Sequence, residues 1–262
     1  MLRTVALASL LAATLSPALA AAADRAAPPT VVLVHGAFAD ASSWDAVAMR
    51  LQRRGVPVVK VDNLLTSLAD DVAATRRAID AAPGKVVLVG HSWGGTVITE
   101  AGADPKVESL VYVAAFAPDV GQTSAQQGEH FAVAPGLQQL VAKEGFLSLS
   151  ADTVAEDFAQ DLMPARIAEV VAHQLPLKAA ALSEPVDVAA WRTRPSWYVV
   201  SRDDRMLTPA LQVATAQRIG APWRSVASSH VSPLSAPGEV ADTILEAAGL
   251  KPAERAPGFD GG

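Results

Sequence analysis

KVVLVGHSWGGTVITEA, residues 85–101, decides the fold, because an apolar run leads through a Gly-x-Ser-x-Gly pentapeptide directly into a helical pattern. Residues 85–89 predict a buried strand, and residues 93–101 predict a helix. A serine on such a sharp strand-to-helix turn is pushed out at the end of the sheet, and the crowded turn needs small residues two positions away on each side. Glycine stands at both positions. The stretch therefore predicts Ser92 as a nucleophile.

The alternation of strand and helix continues on both sides of this turn. Strands are predicted at residues 31–35, 56–61, 86–89, 110–115, 196–201 and 224–227, and helices at residues 43–54, 67–81, 93–101, 209–219 and 239–248. Strands that are apolar on both faces and alternate with helices indicate a parallel sheet covered by helices. We therefore predict an α/β fold with core segments at residues 30–119 and 193–250.

The alternation breaks over residues 120–192, where the pattern shows no convincing strand. Helical spacing recurs at residues 154–162 and 165–173, with polar and proline breaks between. A helical insertion in an open α/β sheet lies naturally over the carboxyl ends of the strands, which is where such folds bind ligands. We therefore predict a helical cap at residues 120–192; the alternative is a peripheral excursion of the same domain.

Residues 1–20 have the pattern of a secretory signal peptide, with a positive charge, an apolar stretch at residues 5–15 and a small-residue cleavage site at residues 18–20. This predicts an exported protein, periplasmic or secreted, with a linker at residues 21–29; a buried N-terminal helix is the alternative. The apolar stretch is too short to span a bilayer comfortably, so no stable membrane insertion is expected after signal removal. Residues 251–262 are rich in glycine and proline and predict a flexible tail.

Composition excludes several classes of function. The formal net charge is -6 and no basic run exceeds two residues, which argues against nucleic acid as a partner. The absence of cysteine excludes disulfides and thiol catalysis. The five histidines lack the spacing of metal ligands, so no metal site is expected. No glycine-rich phosphate loop is present, so we expect no organic cofactor.

A serine hydroxyl needs a general base at neutral pH. In folds built on this strand–turn–helix serine, the order along the chain is serine, acid, histidine. Two of the five histidines precede Ser92 and two more lie in residues 120–192, ahead of the acid. His230, in the polar stretch 228–233 between the last strand and the last helix, is therefore the predicted base. The alternative is an ordinary surface histidine on a polar loop.

The acid should follow the strand at residues 196–201, where Asp203 and Asp204 are adjacent. We favour Asp204, which stands five residues before Pro209 at the start of the next helix. Its role would be to hold the tautomer of the histidine and to stabilise the imidazolium. Asp203 stays open as the acid, and Asp119, after the fourth strand, is a weaker alternative.

An oxyanion in the transition state needs two preorganised donors. One is expected from the backbone N–H of Trp93, the residue after the serine. The other is expected from Ala37, in the loop after the first strand, where Gly36 lets the backbone turn. The side chains of Phe38 and Trp93 are predicted as pocket wall, although either residue type serves equally well as core packing.

Taken together, these motifs resemble the α/β-hydrolase superfamily, and within it the small capped branch that contains plant methyl esterases and hydroxynitrile lyases. The resemblance spans about residues 30–249 and rests on His35-Gly36-Ala37-Phe38, the GHSWG pentapeptide, Val113-Ala114-Ala115-Phe116-Ala117-Pro118, Pro195-Ser196-Trp197-Tyr198-Val199-Val200, Asp204 with Pro209, and Ser228-Ser229-His230. It implies an α/β-hydrolase fold, a triad of Ser92, Asp204 and His230, and hydrolysis of a small-molecule ester through an acyl-enzyme.

The sequence departs from the pattern of this branch in two ways, and these departures limit the activity and the sheet that the resemblance implies. Its hydroxynitrile lyases carry a lysine directly after the catalytic histidine, whereas Val231 stands here, which argues against lyase chemistry. Too little chain precedes the strand at residues 31–35 for the usual first antiparallel strands, so we expect a mostly parallel sheet of about six strands. The same triad could instead hydrolyse a lactone or an amide or carry out perhydrolysis, and these alternatives stay open. A hydrolase-like binding protein without activity is a further alternative.

The predicted cap also bears on the substrate. Its aliphatic side chains, with Phe131, Phe146, Phe158 and Met163, indicate a mostly apolar acyl or alcohol group. The alternative is that these residues form the core of the cap itself.

Overall fold

A six-stranded parallel sheet forms the centre of the structure, a computed structural model that describes residues 27–251. The strands of the described residues are β1 Thr30–Val34, β2 Val58–Val61, β3 Val86–His91, β4 Val107–Val113, β5 Val141–Lys143, β6 Phe146–Ser148, β7 Leu177–Lys178, β8 Ser196–Ser201 and β9 Trp223–Val226. The central sheet has the order β2-β1-β3-β4-β8-β9, and all its neighbouring strands are parallel. The predicted sheet of about six strands is therefore confirmed.

Helices cover both faces of this sheet. The helices of the described residues are α1 Asp45–Gln52, α2 Leu68–Ala81, α3 Trp93–Ala101, α4 Ser124–Gln127, α5 Ala151–Thr153, α6 Pro164–Ala172, α7 Pro209–Arg218, α8 Ser232–Ser235 and α9 Pro237–Ala247. Short 3-10 helices occupy Ala41–Trp44, Pro135–Gln139, Ala179–Ser183 and Ala190–Arg192. Among residues 27–251, none of the helices combines the length and the apolar character needed to cross a bilayer. The predicted signal peptide at residues 1–20, residues 21–26 of the predicted linker and residues 252–262 of the predicted tail lie outside the described residues.

Both faces of the sheet are buried, which explains the uninterrupted apolar strands. In β1, Val32 and Val34 face a core shared with α2, α3 and residues of the 120–192 segment. Val31 and Leu33 face the opposite core, shared with α1 and α9. Side chains alternate between the two faces of a strand, so a strand covered on both sides needs apolar residues at every position.

Residues 120–192 lie between β4 and β8 and are not purely helical. They contain an antiparallel sheet of order β5-β6-β7, and the prediction that this segment holds no strand was wrong. These strands have two or three residues each, too few to show a period of two. A two-residue turn with positive φ at Glu144 (52°) and Gly145 (80°) joins β5 to β6.

The helix predicted at residues 154–162 also differs from the structure. The short helix α5 passes into a π-helical turn, Val154–Phe158, which ends at Ala159. The N–H of Ala159 donates to the carbonyl of Val154 at 2.8 Å, the five-residue spacing of a π turn.

The serine turn is crowded for a reason visible in the backbone. A Cβ on Gly90 would lie 2.4 Å from the carbonyl oxygen of Gly94, and a Cβ on Gly94 would lie 2.5 Å from that of Val34. Ser92 itself has φ 52° and ψ -118°, an uncommon conformation for a residue with a side chain. Small neighbours therefore let strand β3, helix α3 and strand β1 approach closely enough to hold this strained turn.

Gly95→Ala is expected to lower the free energy of unfolding by about 3 kcal/mol, because rigid backbone surrounds the position. An added Cβ would lie 2.2 Å from the carbonyl oxygen of Phe116 and 2.7 Å from the Cβ of Ala115. Urea unfolding measures the change. Gly84→Ala is the matched control, because nothing lies within 4 Å of its added Cβ and its φ is not positive. Equal stability of the two variants would contradict the steric account.

Candidate active site

Ser92 lies at the carboxyl end of β3 and precedes the first residue of α3. Its backbone is held on both sides. The N–H donates to the carbonyl of Val113 at 3.1 Å, and its carbonyl accepts from the N–H groups of Gly95 and Phe116 at 3.0 and 3.3 Å. Strand β1 pairs with β2 on one side and β3 on the other, so the strand order reverses beside this serine. Crevices at such a reversal are the usual ligand sites of open α/β sheets.

His230 and Asp204 form a buried pair in this crevice. The Nδ1 of His230 lies 2.7 Å from the Oδ2 of Asp204, and both side chains are buried. The Oδ1 of Asp204 accepts from the N–H groups of Met206 and Leu207 at 2.7 and 2.8 Å, and its Oδ2 also accepts from the amide of Gln212 at 2.7 Å. An ionised carboxylate only accepts, so Nδ1 carries the proton and Nε2 is left as the acceptor of the ring.

The two alternative acids lie elsewhere. Asp203, although adjacent in sequence, leaves 58% of its side chain exposed, with Arg202 at 3.9 Å as its ionic neighbour. Asp119 accepts from the guanidinium of Arg192 at 2.7 Å, and that bond lowers the pKa of its carboxyl. The structure therefore brings Asp204, and neither Asp203 nor Asp119, to the ring of His230.

The loop after β1 lies directly against the serine. A Cβ on Gly36 would lie 2.7 Å from the Cβ of Ser92, so only glycine permits this approach. The Phe38 N–H in this loop donates to the carbonyl of Leu175 at 3.1 Å. By contrast, across residues 27–251 the N–H groups of Ala37 and Trp93 donate to no other protein group. Both residues line the same cavity as Ser92.

His35 holds this loop in place. Its Nδ1 donates to the carbonyl of Gly36 at 2.9 Å and its Nε2 accepts from the N–H of Asn63 at 3.0 Å. The amide of Asn63 in turn donates to the carbonyl of His35 at 2.8 Å. Burial lowers the pKa of His35, which keeps the ring neutral and able to accept.

Asp71 is a site residue that the sequence reading missed. Its buried carboxylate accepts from the indole Nε1 of Trp93 at 2.8 Å and from the N–H of Leu65 at 2.9 Å. Burial raises the pKa of this carboxyl. The available signal was helical spacing, because Asp71 shares one face of α2 with the buried Thr75.

A cavity of about 380 Å³ contains Ser92 and His230. Phe38 and Trp93 line it, together with apolar side chains that include Phe116, Phe131, Leu140, Leu147, Leu177 and Met206. Of the four large cap residues singled out in the sequence, Phe131 lines this cavity, and Phe158 lines a neighbouring cavity of about 320 Å³. Phe146 packs under the ammonium of Lys178, and Met163 is 74% exposed. The expectation of a pocket or cap-core position was therefore wrong for Met163, whereas Phe146 is half-buried within the insertion.

His91, beside the serine, is buried and bonded through Nε2 to the carbonyl of His230 at 2.9 Å. Burial, reinforced by the neighbouring His230, holds the pKa of His91 well below its ordinary value. The pKa of His35 is also lowered, mainly because its ring is buried. Both rings therefore stay neutral in the folded protein at pH values where an unfolded chain takes up protons.

Acidification is therefore expected to destabilise the protein from about pH 6.5 downward. In that window the unfolded state binds more protons, so the free energy of unfolding falls by up to about 1.4 kcal/mol per pH unit for each histidine. Urea unfolding between neutral pH and pH 5 tests this expectation. His91→Gln should reduce the slope, and His130→Gln, a change at an exposed histidine, is the control. Identical slopes in all three proteins would contradict the assignment.

Within the part of the chain that the structure describes, no group of three or more His, Cys, Asp or Glu side chains is close enough together to hold a metal ion.

Comparisons with known proteins agree with this fold. A family model described as "Alpha/beta hydrolase family" matches residues 31–243. A protein of Phoma sp. named "Probable hydrolase R7" is 26% identical over 246 residues, covering 85% of this chain and 99% of its own. A pyrethroid hydrolase from Sphingobium faniae JZ-2 is similar in structure, with a TM-score of 0.74 at 22% identity, over 84% of this chain and 97% of its own. The methylesterase protein MES16 from Arabidopsis has a TM-score of 0.70 at 18% identity, over 84% and 99% of the two chains.

Proposed function

Since the chain belongs to the alpha/beta hydrolase family, we propose that it is a serine hydrolase that cleaves a small, mostly apolar carboxylic ester through an acyl-enzyme intermediate. Family membership confirms the resemblance to the alpha/beta-hydrolase superfamily that was inferred from the sequence. The fold that the chain shares with a pyrethroid hydrolase and a methylesterase supports the proposal of an ester substrate. The observation that carries the finer proposal is the buried hydrogen bond between Asp204 and His230, since His230 lines the same cavity as Ser92.

The proposed reaction begins with attack of the Ser92 hydroxyl oxygen on the ester carbonyl carbon. The Nε2 of His230 accepts the hydroxyl proton, and Asp204 stabilises the imidazolium through Nδ1. The carbonyl oxygen becomes an oxyanion, which receives hydrogen bonds from the N–H groups of Ala37 and Trp93. When the carbon–oxygen bond of the ester breaks, His230 returns the proton to the leaving alkoxide. Water, activated by the same ring, then releases the acid and restores the serine.

The lining of the cavity supports an apolar, uncharged group in the substrate. Apart from the Ser92 hydroxyl, the two hydroxyls that line the cavity already have hydrogen-bond partners within the protein. The Ser124 hydroxyl pairs with that of Thr96 at 2.6 Å, and the Thr208 hydroxyl accepts from the N–H of Leu211 at 3.4 Å. Glu129, which also lines the cavity, is exposed and would repel a substrate carboxylate.

The test is covalent labelling of the purified protein with a fluorophosphonate, followed by intact mass measurement and peptide mapping. One adduct on Ser92 is expected, because only an activated serine reacts. A substrate panel then identifies the type of bond that the protein cleaves. It contains p-nitrophenyl acetate, butyrate, octanoate and hemisuccinate, together with matched lactones and amides. We expect the uncharged esters to be the fastest. A folded protein that takes up no label would contradict the proposal and favour a silent binding protein.

We also propose that the protein is exported to the periplasm or secreted, on the pattern of residues 1–20. N-terminal sequencing of the protein from the exported fraction tests this. A mature N-terminus close to residue 21 is expected, and an intact N-terminus on protein in the cytoplasm would contradict it.

A further inference from the structure

A short segment of the 120–192 insertion contacts the loop that carries Asp204. The Oδ1 of Asp157 accepts from the Nε of Arg205 at 2.5 Å, and the amide of Gln160 donates to the carbonyl of Asp203 at 2.7 Å. Arg205 and Asp203 stand on either side of Asp204 in the loop after β8. The segment therefore holds this loop at both neighbours of the acid.

The same segment also contacts the loop that carries His230. The Oδ2 of Asp161 accepts from the N–H of Ser229 at 2.8 Å, directly before the histidine. The ring of Phe158 lies 5.4 Å from the ring of His230, at an interplanar angle of 49°. Residues 157–161, which we call the clamp segment, thus contact both the loop that carries Asp204 and the loop that carries His230.

The clamp segment is placed by an irregular helix. Its first two residues are the last two of the π-helical turn Val154–Phe158, and the chain leaves the helix at Ala159. Asp157, Phe158 and Ala159 are buried, Gln160 is half-buried and Asp161 is exposed. The first three residues therefore anchor the segment, and the last two extend from this packed part toward the loops. π turns inside helices occur frequently at functional sites, because they redirect side chains that regular spacing would point elsewhere.

We propose that the clamp segment positions the acid and the base relative to each other, with Asp161 as the positioning residue for His230 and Gln160 as that for Asp204. This inference rests on the proposed serine hydrolase function. One backbone hydrogen bond already joins the two loops directly, from the N–H of Asp203 to the carbonyl of Ser228 at 3.0 Å. The clamp adds further contacts to both loops, including the hydrogen bond that the Asp161 carboxylate accepts from the N–H of Ser229. The insertion therefore contributes to the chemistry as well as to the enclosure of the substrate.

The experiment compares Asp161→Ala with Asp161→Asn and with the control Glu156→Ala. Asn keeps a carbonyl oxygen that accepts from the Ser229 N–H, and Glu156 is an exposed carboxylate that bonds to neither loop within residues 27–251. In Asp161→Ala we expect kcat and the rate of fluorophosphonate labelling to fall about tenfold or more, with KM changed less than about twofold, because misplacement acts on the reacting geometry. Asp161→Asn should restore most of the rate, and Glu156→Ala should match the wild type.

A double-mutant cycle tests whether Asp161 acts through the pair. In the Asp204→Asn background, Asp161→Ala should cost far less than in the wild type, because residues that act as a unit are not additive. The positioning proposal is overturned if the wild type and Asp161→Ala react equally fast with the fluorophosphonate, or if Asp161→Ala changes KM alone. It is also overturned if kcat of Asp161→Asn is no higher than kcat of Asp161→Ala. A wild type that takes up no label overturns the proposed function itself, so the two failures are distinguishable.

Discussion

Ser92→Ala is expected to lower kcat toward the best ester of the panel by about 10⁵- to 10⁶-fold and to abolish fluorophosphonate labelling. The hydroxyl is the atom that forms the acyl bond, and no other group in the cavity replaces it. The variant should keep a residual rate above that of uncatalysed hydrolysis in water, because the N–H donors of Ala37 and Trp93 and the apolar lining of the cavity are still present. Folding should be unchanged, since alanine adopts the backbone conformation of Ser92 no less readily than serine does.

Ser124→Ala is the matched control for this loss. Ser124 lines the same cavity, but its hydroxyl is bonded to Thr96 at 2.6 Å and the change again removes one oxygen. We expect kcat to stay within about threefold of the wild type, since this change touches none of the groups that exchange protons. A Ser92→Ala protein that keeps a tenth or more of the activity would contradict the acyl-enzyme mechanism.

Asp204→Asn is expected to lower kcat by about 10⁴-fold, while KM changes little. An amide in place of the carboxylate turns an N–H₂ group toward Nδ1 of His230, which forces the ring into the tautomer with its proton on Nε2. That ring cannot accept the proton of Ser92. The amide of Gln212 donates to the same carboxylate oxygen, so the variant should also lose some stability, and unfolding is measured beside the kinetics.

Asp203→Asn separates the two adjacent acids. It makes the same chemical change one residue away, on a side chain that is 58% exposed and does not bond to His230. Its kcat should equal that of the wild type. If Asp203→Asn loses the activity and Asp204→Asn keeps it, the assignment of the acid is wrong.

Local chemistry made much of the fold predictable. The six apolar runs and the glycines around Ser92 act through neighbours in the chain, and their positions correspond to the strands and the turn of the structure. The antiparallel strands β5, β6 and β7 were missed because segments of two or three residues carry no measurable period. The helix predicted at residues 154–162 ended early, where Gln160 and Asp161 turn to bond with distant loops.

The sequence by itself determined the parallel sheet and the strained turn at Ser92, because apolar periodicity and turn sterics are set by residues close together in the chain. The candidate triad followed from the chain order typical of folds with this turn and from the resemblance to the family. Only the tertiary structure decided which of the two adjacent aspartates meets His230, and which carboxylates lie at Trp93 and Ser229. Neighbouring side chains on a loop point in different directions, and the partner that each one meets comes from elements far away in sequence. Such contacts leave no local pattern and exist only once the chain has folded.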